Sequence, residues 1–189
     1  SFAIEREDDL AAIDDRVFES AFLKPKSSPL FLQVFKAKGL HVHSRAEALA
    51  SFREVKAAGF EVILQEYIPG PPTGHFFIDG FMDRQHVVQA RFARQRLRMY
   101  PPDFGNSTYM ASVPVATVQP AMDALETLLR HLRYRGIFSA EYKRDPRDGT
   151  FHLIEVNARP WWYVGYAEHC RVPVCEMAYA DALGLPLGQ

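Results

Sequence analysis

Apolar positions along the chain change period several times, and each change marks an element. Leu10, Ile13, Val17 and Phe18 recur at helical spacing, so the pattern predicts a helix over Glu7 to Phe18. A short strand follows at Ala21-Phe22-Leu23, ending on Lys24-Pro25, and then a polar loop from Lys26 to Pro29. A second strand is expected around Gly39 to His43. Ser44 with Glu47 forms a capping box that opens a helix, and Gly59 closes it. Glu61 to Ile68 reads as a strand running into Pro69-Gly70-Pro71-Pro72, a breaker strong enough to place a lobe boundary there.

Beyond the breaker the pattern is mostly strand. His75 to Phe81 and His86 to Gln95 are expected to pair across a Met82-Asp83-Arg84-Gln85 turn, and a loop from Tyr100 to Asn106 precedes another strand near Tyr109 to Val113. Met122, Leu125, Leu128, Leu129 and Leu132 line one face of a helix over Gln119 to Arg133. Ile137 to Tyr142 and Phe151 to Val156 are strands, and the Asp148-Gly149 pair between them favours a hairpin turn. A last helix is expected over Tyr166 to Leu183.

The composition is that of an ordinary globular protein, with 189 residues, 48% hydrophobic and 24% charged. A formal net charge of −1 argues against nucleic acid or an anionic membrane as partner. No apolar run reaches the roughly 20 residues of a membrane span. Cys170 and Cys175 are too few for a disulfide framework and read as two reduced structural thiols of a cytoplasmic protein.

The candidate chemistry lies in the last hairpin. Glu155 and Asn157, two apart, share a strand face, and a turn near Asp148-Gly149 brings Glu141 alongside them. Two carboxylates and an amide oxygen make an oxygen-only set suited to a hard cation such as Mg²⁺. Arg159 continues that face with a fork for phosphate or carboxylate. A solvated hairpin with scattered charges is the competing reading of these residues alone. Arg94, Arg96 and Arg98 also share a face, where three guanidiniums repel unless an anion sits among them; an exposed edge strand blunted by charge is the alternative. His41 and His43 read as surface residues.

The run Gly136-Ile137-Phe138-Ser139-Ala140-Glu141-Tyr142-Lys143-Arg144-Asp145, followed by Leu153-Ile154-Glu155-Val156-Asn157-Ala158-Arg159-Pro160, resembles the metal-binding end of the ATP-grasp superfamily. Phe22-Leu23-Lys24-Pro25 resembles its phosphate-contacting lysine strand, and Leu64-Gln65-Glu66-Tyr67-Ile68-Pro69-Gly70 its hinge. The resemblance implies an α+β fold of two lobes, each an antiparallel sheet with helices, and a nucleotide between them. Residues 1–68 would be the small lobe, incomplete at its front, and 69–189 the large lobe carrying the metal-binding hairpin.

It implies ATP and two magnesium ions, with manganese as a substitute. Glu141 and Glu155 would hold the metal with help from Asn157, and Arg96 and Arg159 would act on phosphate or the reacting carboxylate. Lys24 and Lys38 would contact the nucleotide, Lys36 competing with Lys38, and Glu66, Tyr67 and Ile68 would meet the adenine edge or ribose. His75 is a further ribose candidate. The implied activity is a ligase that activates a small-molecule carboxylate as an acyl phosphate for attack by an amine. A nucleotide-binding module without turnover and a phosphotransferase are the rivals.

Two departures stand out. Lys26 to Leu30 contains no glycine where the superfamily has a glycine-rich loop, and few residues precede Lys24 where it has a separate front domain. The expectation is a fragment or one half of a split enzyme, inactive alone. Trp161, Trp162 and Tyr163 would either line an acceptor pocket or anchor the last helix. They are also candidates for an apolar face left by the missing domain, which would favour self-association.

Overall fold

A computed structural model describes residues 1–102 and 104–187, so Asp103 of the predicted Tyr100 loop lies outside the described residues. The chain divides into two compact units, Ser1–Ile68 and Pro69–Gln189.

The first unit is a four-stranded antiparallel sheet of β1 (Phe2–Ile4), β2 (Ala21–Pro25), β3 (Leu40–Val42) and β4 (Val62–Glu66), in the order β1-β4-β2-β3. Helices α1 (Glu7–Ala11), α2 (Asp15–Phe18), α3 (Ser28–Phe35) and α4 (Arg45–Ala57) belong to the same unit. Ile4, Leu23, Val42 and Leu64 of the sheet bury against Ala48, Phe52 and Val55 of α4, with Leu10, Phe18 and Phe31 completing the core.

The expected single helix over Glu7 to Phe18 is two. Asp14 leaves helical geometry (φ −58°, ψ 136°) and its carboxylate accepts the Arg16 N–H, capping α2. Ser44 caps α4 as the sequence implies, its Oγ accepting from the Glu47 N–H at 3.2 Å, while the Glu47 carboxylate reaches back to the His43 N–H at 2.8 Å. Helix α3 was not expected. It begins where the sequence reads as a loop, with Pro29 in its first turn, and ends at Lys36 in the left-handed conformation.

The second unit is a five-stranded antiparallel sheet of β5 (His75–Met82), β6 (Val88–Tyr100), β7 (Asn106–Val113), β8 (Gly136–Arg144) and β9 (Phe151–Asn157), in the order β7-β6-β5-β8-β9. One face packs on α5 (Gln119–His131): Phe76, Ile78, Phe138, Ala140 and Tyr142 close on Met122, Leu125 and Leu129. Leu132, expected on that apolar stripe, is the cap residue beyond the helix and is exposed. On the other face, Phe81, Ala90 and Phe92 at one end are covered by Trp161 together with Ala167 of α6 (Val164–His169) and Val174 of α7 (Val174–Leu183). The expected single last helix breaks between α6 and α7, where Arg171 takes φ +63° and Pro173 precedes the second helix. Both cysteines are exposed and unpaired, so neither is a core thiol.

Gly80 sits where β5 is crowded from two sides. A Cβ there would lie 2.2 Å from the Ala90 carbonyl oxygen and 2.7 Å from the Phe138 ring. Because one neighbour is backbone, the contact cannot be relieved by a rotamer change. Gly80→Ala should destabilise the second unit by about 3 kcal/mol, the upper end for overpacking. Urea unfolding followed by fluorescence measures this; a wild-type midpoint would contradict it.

Candidate functional site

Alternation along the strands of the large sheet sorts apolar from polar residues. Odd positions of β5 and β8 and even positions of β6 point away from α5. The register puts Arg94 opposite Phe77, Phe77 opposite Glu141, and Glu141 opposite Glu155. The adjacent row runs Asp79, Ser139 and Asn157, and on the other side His75 pairs with Lys143. One sheet face thus gathers the carboxylates of Asp79, Glu141 and Glu155, an amide and several cations.

A bulge makes this arrangement compatible with the core. Glu141 pairs with Glu155 but Tyr142 pairs with Leu153, so Ile154 is the extra residue. The insertion inverts the alternation within β9. Phe151 can then pack on the core beside Phe76, at a ring separation of 5.5 Å, while Glu155 and Asn157 face the other way.

Glu141 is largely buried, its side chain 14% exposed. Its Oε1 accepts from His75 Nδ1 at 2.7 Å and pairs with Arg96 Nη2 at 3.0 Å. Burial alone would raise the Glu141 pKa, but the His75 hydrogen bond and the Arg96 charge outweigh it and hold the carboxyl below its ordinary value. Arg96 also donates from Nε to Ser107 Oγ at 2.7 Å, which ties β7 to the site. Glu155 is exposed and accepts from Asn157 Nδ2 at 3.0 Å, and Asn157 Oδ1 accepts from Arg159 Nη2 at 3.2 Å. Among the described residues no protein partner meets Oε2 of either glutamate.

Arg94, Arg96 and Arg98 of β6 are handled separately, and β6 lies between β5 and β7, so it is not an edge strand. Arg94 is 2% exposed and bridges Asp79 with Nε–Oδ2 at 2.5 Å and Nη2–Oδ1 at 3.2 Å, under the Phe77 ring at 4.4 Å. It is a structural cation with a buried counter-ion. Arg96 serves Glu141, and Arg98 stacks on Tyr109 at 5.7 Å. The Asp79–Arg94 pair, 15 residues apart across the β5–β6 hairpin, escaped the sequence reading because the pattern alone does not set that hairpin's register. Of the aromatic trio, Trp161 is buried over Arg94, Trp162 is 91% exposed and Tyr163 donates its hydroxyl to the Ser107 carbonyl at 2.7 Å. Trp161 therefore belongs to the core beside α6 and α7 and to no exposed apolar face.

The small unit holds the remaining candidates on its open sheet face. Lys24 is half-buried opposite Ile63 and makes no hydrogen bond or ion pair among the described residues. Phe22, His41 and Tyr67 cluster on the sheet, the His41 and Tyr67 rings 4.9 Å apart. Phe22 and His41 were not among the expected site residues. Lys38 is half-buried just before β3, whereas Lys36 is the exposed cap of α3. Glu66 ends β4, exposed. The Tyr67 N–H donates to the Ser20 carbonyl at 2.8 Å and the Tyr67 carbonyl accepts from Ser20 Oγ at 3.2 Å, so its backbone is engaged within the unit, whereas the Ile68 N–H meets no acceptor among the described residues.

Comparison with known proteins agrees with this layout. No protein-family model matches the chain. It is 26% identical over 142 residues to the D-aspartate ligase of Enterococcus faecium, an alignment covering 72% of this chain and 34% of that enzyme. The chain therefore spans about a third of the length of the curated relative it matches. Among solved structures, it is similar to the biotin carboxylase domain of the Hydrogenobacter thermophilus 2-oxoglutarate carboxylase, in complex with MgADP, ADP and bicarbonate. The TM-score is 0.72 at 14% identity, over 100% of this chain and 42% of that one. An ADP complex of N5-carboxyaminoimidazole ribonucleotide synthetase gives 0.71 at 16% identity, over 100% and 48%. These structural likenesses establish the fold: the chain has the α+β ATP-grasp fold. The fold is the one that the hairpin motif led us to expect.

Two outcomes follow from the buried charges. Asp79→Ala leaves the Arg94 guanidinium without its counter-ion and should cost about 3–5 kcal/mol, read by urea unfolding; a loss under 1 kcal/mol would show that Arg94 is neutralised by something else. Glu141, with its folded pKa below the ordinary value of about 4.3, stabilises the fold above that value, and the contribution disappears as pH falls through the lowered folded value. In metal-free buffer, Glu141→Gln should flatten the acid limb of stability below about pH 4. An acid limb as steep as the wild type would contradict this.

Proposed function

We propose that this chain carries the nucleotide and metal machinery of an ATP-dependent ligase that activates a carboxylate as an acyl phosphate for attack by an amine. The observation that carries the reading is the shared sheet face on which Glu141 and Glu155 stand directly opposite each other with Asn157 beside them. Residues 1–68 act as the small lobe and 69–189 as the large lobe of the fold.

The donor set fits magnesium: two carboxylates, each with an oxygen that no group among the described residues meets, and a neighbouring amide, an oxygen set that suits a hard cation. Bound magnesium would neutralise phosphate charge and polarise the transferring phosphoryl group. Glu141 and Glu155 would hold it, with Asn157 orienting Glu155 and manganese as a working substitute. Arg96 fixes Glu141 and adds positive charge to the phosphate side; Arg159, exposed beyond Asn157, binds a phosphate or carboxylate with its fork. In the small unit, Lys24 and Lys38 contact phosphate, and Glu66, Tyr67 and Ile68 contact the base and ribose, the Ile68 N–H being a donor with no acceptor among the described residues. Catalysis is then positioning and charge stabilisation, which needs no side-chain nucleophile. The exposed thiols fit a reducing cytoplasm. The activity of the similar ligase from Enterococcus faecium makes amino-acid substrates, D-aspartate among them, the first to try.

The test is ADP release from ATP and Mg²⁺ in the presence of paired carboxylate and amine panels. Release that needs both substrates supports the ligase. Release that needs only one acceptor identifies a phosphotransferase, and nucleotide binding without release identifies a binding module. Glu155→Gln should reduce substrate-dependent release by about two orders of magnitude or more. Undiminished magnesium-dependent release in that variant would remove Glu155 from the site.

A further inference from the structure

Glu141 offers two oxygens, and the protein uses one of them twice. His75 and Arg96 both meet Oε1, at 2.7 and 3.0 Å, while Oε2 is left without a protein partner among the described residues. Behind the imidazole, Lys143 Nζ lies 3.0 Å from His75 Nε2 and donates to the carbonyls of Gly70 and Pro71 at 2.9 and 3.3 Å. A lysine ammonium can only donate and a carboxylate can only accept. The ring between them therefore has one consistent state: Nε2 is bare and accepts from Lys143, and Nδ1 carries the proton that it donates to Glu141. His75 and Lys143 are Cα partners across β5 and β8, so their contact is set by the register. Both ring nitrogens being engaged, neither is left for a ribose.

We propose that His75 is a positioning residue: it anchors Oε1 of Glu141 so that Oε2 is presented to the metal, and Lys143, donating to Nε2, holds the imidazole in the orientation that makes this possible. The inference rests on the reading of Glu141 as a metal ligand. Partners that orient a ligating side chain commonly matter about 10–100-fold in metal affinity. Lys143 also joins the arrangement to the Gly70–Pro71 backbone, so the orientation of Glu141 is tied to the segment that opens the second unit.

The experiment has two readouts on the 189-residue chain, neither of them activity. Long-range ¹H–¹⁵N spectra of the imidazoles, assigned with a His75→Gln variant, report the tautomer in metal-free protein. Mn²⁺ titration with ADP present, followed by electron paramagnetic resonance, reports metal affinity. The wild type should show His75 protonated on Nδ1 alone, and Lys143→Met, which removes the donor to Nε2 and leaves the ring free to turn, should weaken Mn²⁺ binding about 10-fold. His75→Leu should weaken Mn²⁺ binding about 10-fold or more, and His75→Gln, whose amide supplies one donor and one acceptor, should restore most of it. An Nε2-protonated ring in the wild type, or His75→Leu binding Mn²⁺ as tightly as wild type, would overturn the proposal. Glu141→Gln separates the two levels. If it weakens Mn²⁺ binding and His75→Leu does not, the positioning role fails alone; if it too leaves binding unchanged, the metal reading fails and the positioning role falls with it. Should His75→Leu not fold, the wild-type tautomer and Mn²⁺ binding by the Lys143→Met variant still decide.

Discussion

Two carboxylates placed directly opposite each other on neighbouring antiparallel strands repel, and β8 and β9 impose that arrangement on Glu141 and Glu155. Much of the surrounding polar structure answers it. Arg96 and His75 take one oxygen of Glu141, and Asn157, itself held by Arg159, takes one of Glu155. Each glutamate keeps a second oxygen that no protein group among the described residues meets. In the proposed function a divalent cation supplies the missing attraction, so the repulsion that destabilises the bare protein favours metal binding.

The same sheet must also bury a core, and its two faces answer different demands. The α5 face is apolar from Phe76 to Tyr142, while the other face changes along β5 from His75 through Phe77 and Asp79 to Phe81. Asp79 and Arg94 lie at the boundary, where burial pushes the Asp79 carboxyl up and the arginine opposes it. Trp161 and Phe77 cover that pair, so the cation beside the glutamates is held by packing as well as charge. The Ile154 bulge lets one short strand serve both faces: without the extra residue, Phe151 and Glu155 would point the same way.

Several local signals in the sequence were read correctly. The capping box at Ser44, the Asp148-Gly149 turn and the Glu141, Glu155 and Asn157 grouping each depend on residues within one element or one hairpin. The partners of Glu141, His75 and Arg96, lie on strands distant in sequence, and the Asp79–Arg94 pair depends on the exact register of the β5–β6 hairpin, which periodicity does not reveal. Helix α3 was missed because Leu30, Leu32 and Val34 remain exposed and give no amphipathic stripe, although Pro29 in its first turn is a start signal. The helices over Glu7 to Phe18 and Tyr166 to Leu183 were read as continuous because apolar spacing persists across Asp14 and Pro173, where capping and the missing N–H break them.

The central claim is that Glu141 and Glu155 together hold a divalent cation. Crystals grown with Mn²⁺ and ADP, measured at the manganese absorption edge, test it without reference to substrate. The account predicts anomalous density between the two carboxylates, within about 2.5 Å of at least one oxygen from each. Well-ordered nucleotide with manganese bound elsewhere, or with Glu141 still tied to Arg96 and His75 and no metal near it, would contradict the account.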